Sequence, residues 1–568
     1  MAAKSKRSVG VIGLGPAGLT TVKELKNAGC FGVVTGFDRC SRVGGRWSLD
    51  TNTHNAGIWK ELCANTTRRH MEFSDFPWDA EEGYDGHEQA YEGIYPHCTE
   101  ARSYLEGYAR KFDLYPNLQL ETEVKSIEKI EPGWRITTTS SKNAGANSKT
   151  TCHKFDAIVV CNGPQAKAFH PLESKFQDFA GKVIHSKYFR SEKDYKDQRV
   201  LVIGGNVSGS EIVSVLAEDA TSSSCQKVVH SIRKMPYHIQ KFTKDTHTSM
   251  YDNIYIRIAV WLDRILPDPV VAKGLQMTIL QHWPEQCTND ATMPNCSVGV
   301  SMDVRKCGAT VTKNYVDQVK KGHFLVKPEV ATVEGKRIIF VDGTFDEFDV
   351  IICATGYDFD VSFLPKSVQE KVRVLHPSTG KKVLTLYKNT LVPNADLVDS
   401  LAFCGLINSL GPYFPQAEMQ ARYVAAIWSG KIPFPSLSAL GRNAEAATKK
   451  RLDTSSILNQ FETSTIVNED LGDELGITPS LTKALLSPRK YLLGPVYSCF
   501  YRTNEKAPDG DEEVAKKCQE RFDHLIASSP EVQNSKKGLI DKERQSLIKY
   551  NVECFLAFSY LLVLVGKF

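Results

Sequence analysis

The chain has 568 residues, 42% of them apolar and 24% charged, ordinary globular proportions that at this length imply two or three domains rather than a single core. A formal net charge of +4 gives no case for a nucleic-acid-binding surface. The 15 cysteines contain no Cys-x-x-Cys pair, which excludes a redox dithiol of that type and a four-cysteine zinc site, and so many thiols fit a reducing, cytosol-facing compartment.

The amino terminus starts basic and turns apolar, as a signal peptide does, but the apolar run is only Val9 to Ile12 before glycines and a proline intervene. It reads as a strand. The turn that follows is Gly13-Leu-Gly15-Pro-Ala-Gly18. In a dinucleotide-binding unit Gly13 makes the tight turn, Gly15 lets backbone approach a pyrophosphate, and Gly18 lets helix pack close to strand. A helix over Pro16 to Ala28 presents its amino end to the phosphates. A second strand, Gly32 to Phe37, ends at Asp38, 25 residues beyond Gly13, where a carboxylate can hold a ribose hydroxyl.

Phe155 to Pro164 reads as an apolar strand closed by an Asn-Gly turn. A second strand-turn-helix pattern follows, Val200 to Ile203 and then Gly204-Gly205-Asn206-Val-Ser208-Gly209-Ser210-Glu211. Asn206 stands where the middle glycine is expected, and asparagine tolerates left-handed backbone better than most residues. The next strand, Lys227 to His230, leads to Arg233 and Lys234 with no acid at its end. Basic residues there suit a 2′-phosphate, hence NADPH over NADH.

Residues 242 to 325 are harder to place. Trp261, Trp283 and the run Ile254 to Leu266 suggest helices, and Cys287 and Cys296 have no histidines at metal-ligand spacing. The stretch reads as an elaboration of the second nucleotide domain. Phe348 to Tyr357 repeats the design of 155 to 164, and such strands carry the chain back and forth between two nucleotide domains. Near the carboxy terminus Cys554 to Gly566 is thirteen residues without a charge, roughly 20 Å as a helix against a bilayer core of about 30 Å. Two readings of this tail stand: a terminal helix packed on the protein, or a segment dipping into one leaflet beneath Lys536, Lys537, Lys542, Arg544 and Lys549.

Between the two turns lies Phe179-Ala-Gly181-Lys-Val-Ile-His185-Ser-Lys-Tyr-Phe189. It fits Phe-x-Gly-x-x-x-His-x-x-x-(Phe/Tyr), the fingerprint of the flavin-containing monooxygenases, which the chain resembles from about residue 8 to 505. Gly44-Gly45-Arg46-Trp47 is similar to that family's second flavin contact. Leu62 to Thr67 with Met71 to Pro77 is similar to its active-site loop, and Phe414 to Arg422 to the helix facing the flavin. Asp470 to Ser480 and Gly494 to Arg502 echo the carboxy-terminal part of its animal members.

The resemblance implies an α/β fold with two dinucleotide-binding, Rossmann-like domains, the NADPH domain inserted into the FAD domain, plus a helical C-terminal extension. The expected division is 1–190 with 326–440 for FAD, 191–325 for NADPH, 441–550 for the extension and 551–568 for the hydrophobic tail. FAD is expected at Gly13, Gly15, Pro16, Ala17, Gly18, Asp38, Arg46, Trp47, Asn65 and Thr66. NADPH is expected at Ala64, Asn65, Ser208, Gly209, Ser210, Glu211 and Arg233.

The implied activity is NADPH- and O2-dependent oxygenation of nitrogen or sulfur in a small lipophilic molecule through a C4a-hydroperoxyflavin. The cofactors carry the chemistry, and the protein orients them and excludes water. Asn65 is the implied catalytic residue, since an amide both donates and accepts. His185 reads as a linker-fixing residue rather than a base, and Asp75, Glu81 and Glu82 as a solvated loop face. Two alternatives stay open: a Baeyer–Villiger oxygenase, which usually carries Trp where this chain has Phe189, and an uncoupled NADPH oxidase or non-catalytic nucleotide-binding flavoprotein. With the tail, the resemblance implies a cytosol-facing protein held at the endoplasmic reticulum membrane, or otherwise a cytoplasmic one.

Overall fold

The computed structural model describes residues 6–48, 57–78, 94–142, 150–218, 225–241, 257–282, 295–298, 303–480, 496–503 and 511–528, with residues 482, 486, 487 and 491. The tail 551–568, and Glu81, Glu82, Trp283 and Cys287, lie outside them.

Two five-stranded, all-parallel sheets organise the chain. The first runs Leu401–Phe403, Ala157–Val160, Arg7–Ile12, Phe31–Phe37, Leu118–Gln119 in spatial order. The second runs Leu325–Lys327, Lys227–Ser231, Arg199–Ile203, Val350–Cys353, Lys182–His185. Strands in such sheets are covered on both faces and so read as continuous apolar runs rather than alternating ones. Ala157–Val160 and Val350–Cys353 are buried at every position, which is why 155 to 164 and 348 to 357 look alike in sequence.

They occupy equivalent places, each returning beside the strand that carries the glycine turn, and each follows a three-stranded antiparallel meander. One meander is Thr122–Lys129, Trp134–Ser140 and Thr150–Phe155; the other is Val330–Glu334, Arg337–Phe340 and Phe345–Glu347. The linker between the halves is drawn into this plan. Lys182–His185 pairs with Val350–Cys353, so two stretches that the sequence places in the first domain are strands of the second sheet. Val350–Cys353 lies between Arg199–Ile203 and Lys182–His185, which forms the edge of that sheet.

The segment before residue 325 also departs from expectation. Helices Arg257–Ile265 and Asp268–His282 do not simply elaborate the second nucleotide unit. Arg257 donates to Glu469 at 2.7 Å and Arg264 to Asp473 at 2.7 Å, with Asp470 in ion-pair range at 2.9 Å, which docks the first of them on helix Ser464–Glu474. That helix packs in turn on the almost wholly buried helix Tyr413–Trp428, which lies against helix Pro16–Asn27. The last described helix, Glu512–Ser528, sends Phe522 and Leu525 into the same core, a burial of roughly 1.5–3 kcal/mol per side chain. Among the described residues no helix is long and apolar enough to cross a membrane.

Candidate functional site

The two glycine turns are built alike. Gly13 has φ +96° and Gly204 φ +121°, the left-handed region that a Cβ disfavours. Their N–H groups donate to Phe37 O at 2.8 Å and Ser231 O at 3.1 Å, so each turn hangs from the end of the neighbouring strand. A Cβ on Gly13 would press on the Cys161 carbonyl, and one on Gly204 on the Ala354 carbonyl, the returning strand in each case. Gly18 and Gly209 carry the same constraint one helical turn later, where a Cβ would overlap the carbonyl oxygen of Gly13 or of Gly204.

They differ at the middle position. Gly15 caps helix Pro16–Asn27 with no side-chain hydrogen bond, and the space beside it holds only the Gly45 backbone at ordinary contact distance. Proline at the first helical position lacks the N–H that would otherwise be unsatisfied. Asn206 is itself a helix cap, with φ −98° and ψ −175°, and its Oδ1 accepts from Val207 N at 2.8 Å. Its backbone is extended, so left-handed tolerance is not the property being used; the side chain takes one of the free N–H groups at the helix end.

Asp38 lies at the expected strand end, and its carboxylate accepts from Leu14 N at 2.7 Å and Cys40 N at 2.9 Å, bracing the first turn. Arg46 and Trp47 sit on the short turn Gly45–Ser48 beside Gly15. The half-buried Arg46 guanidinium donates to Gln165 and to Gly57 O, has no carboxylate partner among the described residues, and is pushed down in pKa by desolvation. A half-buried cation with no carboxylate partner among the described residues suits a bound phosphate or polarised ring oxygen.

Ala64, Asn65 and Thr66 lie on the loop before helix Arg68–Met71. Ala64 N donates to Pro96 O at 2.8 Å and Cys98 N to Leu62 O at 2.9 Å, so helix Cys98–Lys111 holds the loop in place. The Asn65 carboxamide is half-buried and has no hydrogen-bond partner among the described residues. Leu62 packs on the same core as Ile212 and Val213 of helix Val207–Ala217, which follows the second turn, while Ala64 lies in the core of the first sheet, so this loop reaches both units. At the amino end of that helix Ser208 is half-buried, Gly209 is buried, and Ser210 Oγ and Glu211 Oε1 are buried without a partner. Desolvation raises the Glu211 pKa. The Ser210 hydroxyl can donate to a phosphate beside the backbone N–H groups of the helix N-terminus, and the Glu211 carboxylate can accept from a ribose hydroxyl or an amide, so the residues present fit a dinucleotide here. Arg233 is 78% exposed, with its nearest carboxylate, Glu329, at 3.9 Å.

His185 Nδ1 accepts from Lys187 N at 3.0 Å, so Nε2 carries the proton donated to Gly356 O at 2.9 Å. Burial lowers its pKa to about 4. Both nitrogens are committed, and the ring ties the linker to the returning strand. Phe189 is fully buried against Trp59 and Tyr195.

One expectation is reversed. Asp75 is not on a solvated face: its side chain is 6% exposed and pairs with Lys23 and Arg502. Lys23, Glu24, Glu418 and Arg502, none of them foreseen as a site residue, complete a buried charge cluster under the 72–78 loop. Lys23 and Glu24 sit between Val22 and Leu25 of the first helix, and Asp75 lies between Phe73 and Phe76; that was the available signal.

A family model described as flavin-binding monooxygenase-like matches residues 6–517. Dimethylaniline monooxygenase [N-oxide-forming] 2 of Cavia porcellus is 28% identical over 514 residues, covering 87% of this chain and 88% of the relative. Flavin-containing monooxygenase 2 of Homo sapiens is 27% identical over 517 residues, with 87% and 88% covered. Among solved structures, S-allyl-L-cysteine S-oxygenase from Allium sativum superposes with a TM-score of 0.58 at 20% identity, over 91% of this chain and 99% of that one. Cyclohexanone monooxygenase in its open form gives 0.57 at 16%, over 83% and 98%. At these identities the structural matches speak for the fold, which they share along nearly all of its length.

Proposed function

Because this chain belongs to the flavin-binding monooxygenase-like family, we propose that it uses NADPH and O2 to oxygenate nitrogen or sulfur in a small lipophilic molecule, through a C4a-hydroperoxyflavin. The observation that supports this reading is the 62–65 loop: Leu62 packs on the core of the second sheet, Ala64 lies in the core of the first, and the Asn65 amide that follows has no hydrogen-bond partner among the described residues. When bound, FAD and NADPH supply the redox chemistry and the activation of O2.

The chain's own part is to hold and shield. Gly13, Gly15, Pro16, Ala17 and Gly18 receive the FAD pyrophosphate on a helix end, and Asp38 braces that turn while reaching the ribose. Arg46, Trp47, Asn65 and Thr66 border the ring system. Ala64, Asn65, Ser208, Gly209, Ser210 and Glu211 line the NADPH side, and Arg233 offers its exposed guanidinium to the 2′-phosphate. Asn65 donates and accepts at the meeting point of both cofactors, and the loop around it keeps water out. The domain division follows the sheets, with the NADPH unit nested in the FAD unit. The tail 551–568 is a peripheral contact with the cytosolic face of the endoplasmic reticulum.

The relatives named for forming dimethylaniline N-oxide recommend N,N-dimethylaniline as a first probe. Purified protein, reduced anaerobically with NADPH and then mixed with O2, is expected to pass through a long-lived oxygenated flavin spectrum before reoxidation. Immediate reoxidation with stoichiometric H2O2 would refute the oxygenase reading in favour of an NADPH oxidase. Product from a ketone and none from an amine or sulfide would move it to Baeyer–Villiger chemistry.

A further inference from the structure

The cluster beneath the 72–78 loop joins four parts of the chain that are far apart in sequence. Lys23 and Glu24 come from the helix that opens at the Gly15 turn, and Glu418 from helix Tyr413–Trp428. Ser74 and Asp75 belong to the loop that continues from Asn65, and Arg502 to the C-terminal extension. Arg502 pairs with Glu24, lies 3.2 Å from Glu418 and 3.6 Å from Asp75, and donates to Ser74 Oγ at 2.5 Å. Lys23 pairs with Glu24 at 2.8 Å and with Asp75.

Glu418 accepts from Ser74 N at 2.8 Å and from the Ser74 hydroxyl. Every charged side chain here is less than a tenth exposed. Burial, with the neighbouring Asp75 charge, pushes the Glu418 pKa up against the pull of Arg502, whereas Lys23 and Arg502 overcome burial at Asp75 and hold it down. The same C-terminal stretch touches the loop a second time, where Tyr497 lies 5.1 Å from the His70 ring.

We propose that Arg502 is a positioning residue for the oxygenation site: its guanidinium bridges Glu24, Asp75 and Glu418, sharing their charge with Lys23, and so fixes the loop that carries Asn65 against the two helices flanking the flavin. This rests on the proposed oxygenase activity. Three buried carboxylates at one point repel one another and remain ionised only while cations face them. Lys23 reaches two of the three. Arg502 reaches all three and Ser74 besides, which a planar fork of donors can do and a point charge cannot. Without it the carboxylates separate or take up protons, the loop loses its seat, and water enters where O2 is being activated.

The test compares full-length, flavin-loaded wild type with Arg502→Met, Arg502→Lys and the double variant Arg502→Met/Glu24→Gln. FAD content, the rate of flavin reduction by NADPH, and oxygenated product and H2O2 per NADPH are read for each. Arg502→Met is expected to keep FAD and to be reduced within about twofold of the wild-type rate, while product per NADPH falls about tenfold and H2O2 makes up the difference. Removing one carboxylate charge in the double variant is expected to restore most of the product, a rescue that a packing role would not give.

Should Arg502→Met fail to yield holoprotein, Arg502→Lys decides, with an expected loss of about threefold at full FAD occupancy. Wild-type coupling in Arg502→Met, or in Arg502→Lys if that variant decides, overturns the proposal, as does a double variant no better than the single. A wild-type protein that consumes NADPH and yields no oxygenated product counts against the proposed function; product undiminished in the variants counts against Arg502 alone.

Discussion

At the scale of single residues, Asn65 carries the strongest expectation. Its half-buried amide has no hydrogen-bond partner among the described residues, so it is free to bond a ligand without breaking a bond within the protein. Asn65→Leu should therefore leave folding and FAD content intact and lower oxygenated product at least tenfold; unchanged turnover would remove it from the site. Asn65 was legible because flanking residues match a known loop, since alone an asparagine reads as a turn. Asp75 was misread for a physical reason. The sequence displays a carboxylate but not its counter-ions, and Lys23 and Arg502 lie 52 and 427 residues away. Asn206 taught the complementary lesson: the departure from glycine was visible, but that its side chain caps the helix rather than strains the backbone depends on φ and ψ.

At the scale of elements, the two turns are the same device used twice, and each should fail separately. A Cβ on Gly18 or on Gly209 would overlap the carbonyl oxygen of the first glycine of its own turn, so strand and helix must part, a strain of about 1–3 kcal/mol. Gly18→Ala should yield protein that loses FAD on dilution. Gly209→Ala should retain FAD and raise the NADPH concentration needed for half-maximal flavin reduction about tenfold. If both variants lost the same cofactor, the division of labour between the turns would be wrong. Both strand-turn-helix units were legible because cover on both faces, helices on one and an antiparallel meander on the other, makes their central strands largely apolar. The partners of strands Lys182–His185 and Val350–Cys353 were not, since a parallel register between segments about 170 residues apart leaves no trace in local pattern.

At the scale of the whole molecule, buried histidines set a pH dependence. Burial lowers His185 and His230 to about 4 and His70 to about 3, against about 6.5 in an unfolded chain. Between those values the unfolded state binds more protons, so their contribution is complete above pH 6.5 and is lost as pH falls through 4. Glu211 and Glu418, raised by desolvation, act in the opposite sense, which makes a variant the clean probe. His185→Gln should flatten the dependence of Tm on pH between 6.5 and 4 and leave it unchanged above 7; a parallel profile would show that the ring is not held neutral.

The two-sheet plan and its nesting were readable from glycine spacing and apolar runs. The docking of helix Arg257–Ile265 on helix Ser464–Glu474 was not, because it rests on ion pairs between segments with no shared pattern. The whole assembly is argued to deliver one atom of O2 to a soft nucleophile. Turnover of a tertiary-amine probe under 18O2 with limiting NADPH measures this directly. The account predicts one 18O in the product for nearly every NADPH consumed; product lacking the label, or NADPH consumed entirely into labelled H2O2, would contradict it.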